Sequence, residues 1–266
     1  MRPQAADIVD DRLIRGLHVE AVRRAGLHPE REPHLVFQTA TLDALFEGRF
    51  DGDLTIAELT EHGDLGLGTL NGLDGEMIVV DGRVLRADAD GLLHPVAPEA
   101  RTPFAVVTFF APAVRLTLDG PLDHDALVRE LDRHAPREAP ICALRIDGRF
   151  DVVHARSVPR FDPPYPSLTE IAHRQHVFDL HDVEGTVVGF RFPAYAQGLE
   201  VPGHHLHVAD VARRRGGHVL ACRPNGVTVR IDGAAELHVE LPPGVELGEP
   251  DASEATRESI RRVEGG

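Results

Sequence analysis

The sequence predicts an α+β protein, rich in strands and short of helices, built as two packed mixed β-sheet halves that each carry a helix. Three observations predict it. The apolar runs are short and rich in β-branched and aromatic residues, as in Phe104-Ala-Val-Val-Thr-Phe-Phe110. Asn71-Gly72 and Asp81-Gly82 separate such runs, and these pairs favour tight turns between strands. One helix followed by several strands occurs twice, with Ser167–His173 comparable to Leu54–His62, which suggests an internal duplication.

Each element follows from local chemistry. Met1–Pro33 reads as a charged N-terminal extension with a weak helical spacing of Leu13, Leu17, Val19 and Val22. The N-terminal half, residues 34–150, opens with a strand at Leu35–Thr39, after which Thr41 caps a short amphipathic turn. Thr55–His62 resembles a helix with Gly63 as its C-cap. Gly66–Leu70, Glu76–Val80 and Arg83–Ala87 are short strands, and Phe104–Phe110 is apolar enough to be central. Pro121–Ala135 reads as a helix with Asp123 near its start, and Ile141–Ile146 returns as a strand. The C-terminal half, residues 151–266, places a helix at Ser167–His173. Strands follow at Val177–Leu180, Gly185–Phe192, Gly203–Val208, His218–Cys222, Gly226–Ile231 and Glu236–Leu241. Ser253–Gly266 reads as a polar helix with a Gly-Gly end.

Composition narrows the chemistry. The chain has 266 residues, 43 acidic against 28 basic, for a net charge of −15. That balance argues against nucleic acid or an anionic membrane surface as a partner. The start of the chain has no apolar leader, and no window approaches the length of a membrane span. Cys142 and Cys222 have no CxxC spacing, so a reducing cytoplasm is the expected location. Every basic residue in that count is Arg; the chain has no lysine. A Schiff-base mechanism and a P-loop both need one and are excluded. Any carbanion formed here has to be stabilised by a metal, an arginine or hydrogen-bond donors.

The most informative motif is Gly203-His-His-Leu-His207, followed by Gly216-Gly-His218. On a strand His205 and His207 project from one face. A hairpin folded around Ala212–Arg213 brings His218 opposite His207. Three converging imidazoles with a vacant fourth position are a donor set for a catalytic zinc. In a chain with 16 histidines an H-x-H pair also arises by chance. Two further stretches are dense in small and charged residues: the Gly-rich Gly63–Glu76 and the cluster His154-Ala-Arg156-Ser-Val-Pro-Arg160. Ordinary hairpin turns and a solvated surface charge would explain each taken alone.

Taken in order, these segments resemble the acetolactate decarboxylase family. The resemblance runs from about His34 to the C-terminus. It is carried by Thr55-Ile-Ala-Glu-Leu, Gly68-Thr-Leu-Asn-Gly-Leu-Asp-Gly-Glu76, Arg101-Thr-Pro-Phe-Ala-Val-Val-Thr-Phe-Phe, Arg145-Ile-Asp-Gly-Arg-Phe, His154-Ala-Arg-Ser-Val-Pro, His181-Asp-Val-Glu-Gly-Thr-Val-Val-Gly-Phe-Arg-Phe-Pro and the His205-Leu-His…Gly-Gly-His series. It implies zinc, or another divalent transition metal in its place, held by His205, His207 and His218. It implies Glu76 and Arg156 beside the metal as catalytic residues, joined by Glu264 from the Val263-Glu264 pair of the tail. Thr69 and Arg156 are the implied substrate-binding residues. His204 departs from the pattern, where an aromatic ring is expected, and adds a competing imidazole.

The implied reaction takes 2-acetolactate to (R)-acetoin and CO2 through a zinc-stabilised enediolate, in acetoin and butanediol biosynthesis. Arg156 would hold the carboxylate, and Glu76 or Glu264 would deliver the proton. The expected partner is this small substrate, with a second copy of the chain as the assembly considered. Two other readings share the residues. One is a non-catalytic, metal-stabilised binding module whose fourth position is closed by His204 or His181. The other is a zinc-dependent hydrolase, although the helical H-E-x-x-H motif is absent.

Overall fold

The computed structural model describes residues 8–28, 31–166, 170–171 and 173–248. Its first strands are β1 (Ile8–Ile14), β2 (Leu17–Arg23) and β3 (Leu35–Thr39), followed by helix α1 (Leu42–Phe46), strand β4 (Leu54–Thr55) and helix α2 (Ile56–Leu59). Strands β5 (Leu65–Thr69), β6 (Glu76–Val80), β7 (Arg83–Ala87), β8 (Leu93–Pro95), β9 (Arg101–Thr102), β10 (Phe104–Thr108) and β11 (Val114–Pro121) lead to helix α3 (His124–His134). Four longer strands and a short one follow among the described residues: β12 (Ile141–Ser157), β13 (His176–Phe192), β14 (Gly203–Asp210), β15 (Gly216–Ala234) and β16 (Glu236–Leu241). The protein is thus mostly strands with few helices, arranged in several sheets.

The larger sheet has nine strands in the order β1-β2-β16-β3-β10-β5-β6-β7-β8. Its pairs are antiparallel except that β16 lies parallel to both β2 and β3. The turn at Asp81-Gly82 has positive φ at both residues, 53° and 70°, as the expected β6–β7 hairpin requires. Side chains alternate across this sheet. Val36, Leu67, Ile78, Val80 and Val106 join one buried cluster, while Phe37, Met77, Val79, Ala105 and Val107 join another on the opposite face.

The second sheet orders its strands β11-β15-β12-β13-β14 and adds a pairing between β14 and β15. One edge of β15 runs along β12; its other edge meets β14 at the start and β11 further on. Strands β12, β13, β14 and β15 therefore close into a ring. Phe150, Val153, Val187, Val208 and Val229 are buried within its core. Helix α3 is capped by Asp123, which accepts from the Ala126 amide. It lays the buried Leu127 and Leu131 on this core, each contributing about 1.5–3 kcal/mol by leaving water.

Several expectations are corrected. Residues 8–23 form a hairpin, not a helical segment, and that hairpin belongs to the nine-stranded sheet. The expected boundary at 33/34 thus separates β1 and β2 from their own sheet, and the one at 150/151 falls inside β12. Val177–Leu180 and Gly185–Phe192 are one strand, as are His218–Cys222 and Gly226–Ile231, since β13 and β15 run through both. The expected helix over 55–62 is only Ile56–Leu59, started by a capping box between Thr55 and Glu58. Of the helix expected over 167–173, residues 170, 171 and 173 are described; the first two are helical and the third is in a turn. The two sheets differ in strand number and order, so the repeated element order has no matching repeated topology.

His62 follows α2 and stacks flat on Phe37, with ring centroids 4.0 Å apart. Burial, reinforced by His238 and opposed by Glu58, pushes its imidazole down to about 4 from the ordinary 6.5. The unfolded chain therefore binds this proton first as pH falls. Stability from the neutral His62 is complete above pH 6.5 and is lost as the pH drops toward 4, by up to about 3 kcal/mol. Urea unfolding between pH 7 and pH 4.5 should show a shallower acid loss in His62→Gln than in the wild type. Parallel pH profiles for the two proteins would show that His62 carries no such linkage.

Candidate active site

Strand register assembles the site. Arg156 on β12 lies opposite His218 on β15, and His218 lies opposite His207 on β14. Cross-strand partners share a face, so one row across three strands carries a guanidinium and two imidazoles. His205, two residues before His207, adds the third imidazole on the same face. The hairpin expected between His207 and His218 is the one observed. The three rings sit with centroids 5.1–5.2 Å apart, and one nitrogen of each lies within 4.8 Å of the others. All three are buried, with exposures of 7, 0 and 4% for His205, His207 and His218.

The imidazole contacts prepare lone pairs. His207 Nδ1 donates to the Met77 carbonyl at 2.8 Å, which leaves Nε2 without a proton. That Nε2 is fully buried and makes no hydrogen bond; Glu76 Oε2 stands 3.4 Å away. Burial, aided by His205 and Arg156, holds His207 well below the usual imidazole range, hence neutral. His205 Nδ1 lies 3.1 Å from Glu200 Oε1, so this ring also turns Nε2 away from its acceptor. Three buried imidazoles brought together, with His207 held neutral, suit a transition-metal ion such as zinc.

Glu76 arrives from the other sheet. Gly75 before it has φ +74°, and a Cβ there would stand 2.1 Å from the Ala87 carbonyl oxygen, so the turn presenting Glu76 requires glycine. Glu76 starts β6 on the face that packs against the ring. Its Oε1 accepts from Arg156 Nη1 at 2.5 Å, and both side chains are buried. Arg156 Nη2 also lies 3.4 Å from His218 Nδ1. The Thr69 hydroxyl donates to the Gly75 carbonyl at 2.8 Å.

Thr69, Glu76, Arg156 and His205 form the polar lining of one pocket of about 660 Å³, counted to its open mouth. Its walls are apolar, with Leu42, Leu45 and Phe46 of α1, and Leu73, Phe104, Val158 and Ile171. The structure thus brings together six residues expected from sequence: Thr69, Glu76, Arg156, His205, His207 and His218. Glu264 lies outside the described residues. His204 faces the other side of β14, with Nε2 3.6 Å from Asp132 on α3, and does not compete for the centre. His181 is exposed on β13 and is not among the clustered imidazoles. Glu200, the Met77 carbonyl and the α1 wall were not anticipated. Glu200 stands five residues before His205 in no recognisable motif, and a backbone carbonyl has no sequence signal.

Buried ionisable groups at the floor of an apolar pocket define an enzyme site rather than a binding face. Comparison with known proteins makes the class particular. The family model for alpha-acetolactate decarboxylase matches residues 36–250. The alpha-acetolactate decarboxylase of Methylococcus capsulatus is 41% identical over 257 residues, covering 96% of this chain and 99% of its own length. That of Klebsiella aerogenes is 41% identical, covering 81% and 82%. The crystal structure of alpha-acetolactate decarboxylase from Bacillus subtilis strain 168 superposes with a TM-score of 0.81 at 34% identity, covering 87% of this chain and all of that one. The chain belongs to the alpha-acetolactate decarboxylase family, and it is a carboxy-lyase of that family.

The Glu76–Arg156 pair gives a direct test of how the two sheets couple. Removing one member of a buried ion pair strands the other's charge and costs about 3–5 kcal/mol. Glu76→Ala and Arg156→Met should each lose stability on that scale in metal-free protein. The double variant should lose clearly less than the sum of the two. Strictly additive losses in urea unfolding would show that the pair does not couple the sheets.

Proposed function

We propose that this chain converts 2-acetolactate to (R)-acetoin and CO2 at the three-imidazole centre, with zinc held by His205, His207 and His218. The observation that carries this reading is the buried triad standing beside the Glu76–Arg156 ion pair in an apolar-walled pocket. The ion, when bound, supplies a Lewis acid for negative charge developing on substrate oxygen.

The chain's own residues do the rest. Arg156 keeps its charge and offers a planar fork, one arm of which Glu76 already fixes. It holds the substrate carboxylate and then the enediolate left by CO2 loss. Leu42, Leu45, Phe46 and Phe104 keep water from a carboxylate that departs as a neutral molecule. Thr69, with its hydroxyl hydrogen committed to Gly75, shapes the pocket beside Arg156 and leaves its oxygen as an acceptor toward substrate. Protonation of the enediolate is assigned to Glu76 or to Glu264 of the tail, directly or through water; because Glu76 is a carboxylate in its ion pair with Arg156, its part would be to pass on a proton taken from water. Delivery from one side of the plane yields a single enantiomer. In this reading the enzyme works in the cytoplasm, and its two cysteines, both free and buried, are in keeping with that. Among the described residues no helix is long and apolar enough to cross a membrane.

CO2 release from racemic acetolactate, with and without a chelator, tests the reading together with zinc content. His205→Ala, His207→Ala and His218→Ala should each bind less than one equivalent of zinc and lose decarboxylation. His204→Ala should retain both. Full zinc occupancy and turnover in His218→Ala would remove the centre as described.

The tail is tested separately. Glu264→Gln should lower turnover strongly with zinc retained and little change in melting temperature. Its effect should exceed that of Glu258→Gln on the same tail. Small, equal effects would leave Glu76 as the only acid/base candidate.

A further inference from the structure

The Glu200 carboxylate is buried to 1% exposure in the short segment between β13 and β14. Its Oε1 accepts from the Val201 amide at 3.0 Å and from His205 Nδ1 at 3.1 Å. The imidazoles of the centre are therefore oriented by unlike partners. His207 gives its Nδ1 proton to a neutral carbonyl, whereas His205 gives its proton to a carboxylate. A carboxylate acceptor fixes one tautomer and raises the basicity of the opposite ring nitrogen.

The segment bearing Glu200 is itself moored. Gln38, fully buried on β3, donates from Nε2 to the carbonyls of Ala40 and Leu199, both at 2.8 Å. The first amides of α1 reach the same place: Leu42 donates to Leu199 O and Asp43 to Gly198 O, each at 3.0 Å. Gly198 has φ +94°, a left-handed backbone that favours glycine at this turn beside α1. The helix that walls the pocket and the carboxylate that aims His205 thus share one set of hydrogen bonds.

We infer that Glu200 is a positioning residue for His205, setting its tautomer and thereby the affinity of the three-imidazole centre for zinc. The inference rests on the zinc reading above, and its test does not depend on turnover. Chelator competition should show zinc held about 10–100-fold more weakly by Glu200→Gln than by the wild type. His204→Gln, on the other face of β14, should stay within twofold. The metal-free melting temperature of Glu200→Gln separates this effect from loss of fold. If that variant does not fold, nitrogen shifts of 15N-labelled histidine in the wild type decide. A protonated Nδ1 at His205 is expected, and an Nε2-protonated ring would overturn the inference. Zinc affinity within threefold of wild type in folded Glu200→Gln would overturn it too. A wild type that takes up no zinc would overturn the zinc reading itself, and this inference with it.

Discussion

Everything at the centre depends on the double engagement of β15, which pairs with β12 along one edge and with β14 along the other. That closure puts Arg156, His218 and His207 in one row. Because side chains alternate with a period of two, a slip of one residue would turn His218 to the opposite face. Between the apolar stretch of Val227, Val229 and Ile231 and the site, the β12–β15 register shifts by one residue at His154/Ala155, and this local irregularity puts Arg156 opposite His218.

The ring supplies the imidazoles and the guanidinium; the nine-stranded sheet supplies Glu76 and, through Met77, the acceptor for His207. Placing an ion pair at this interface is costly, since desolvation offsets most of its attraction. A pair of well-packed apolar residues would hold the sheets at least as well. The charges persist where they cost stability because they face the pocket.

The parts legible in the sequence were those governed by local rules. The H-x-H spacing and the Gly-Gly after the polar turn placed three imidazoles on one face, and Asp81-Gly82 marked its hairpin. The Asp123 cap marked α3. What stayed hidden depended on partners remote in sequence. The spacing of Leu13, Leu17, Val19 and Val22 fits a weak helix, yet β2 pairs with β16, more than two hundred residues away. Strand β11 shows a regular alternation of half-buried and exposed residues, a pattern the sequence carries in Val-Arg-Leu-Thr-Leu. The long strands were split because Asn225-Gly226 and His181-Asp182 look like turns, whereas register shifts absorb the irregularity near Gly148 and Phe150 without ending the pairing. Glu200 was invisible because burial, not motif, gives it its importance.

The position of β16 also bears on how the chain is made. It sits between β2 and β3 in the nine-stranded sheet, although it is the last strand among the described residues. A nascent chain leaves the ribosome N-terminus first, so the hairpin of β1 and β2 emerges early and has no place to dock. The β3-β10-β5-β6-β7 portion can assemble in the meantime, but with an open edge at β3. Only when residues 236–241 appear, after the ring has been synthesised, does the missing strand arrive and join the two pieces. Sheet completion is therefore a late, long-range event, slow by the entropy of closing so large a loop. The edge of β3 is the surface that a chaperone, or another unfinished copy, would meet first.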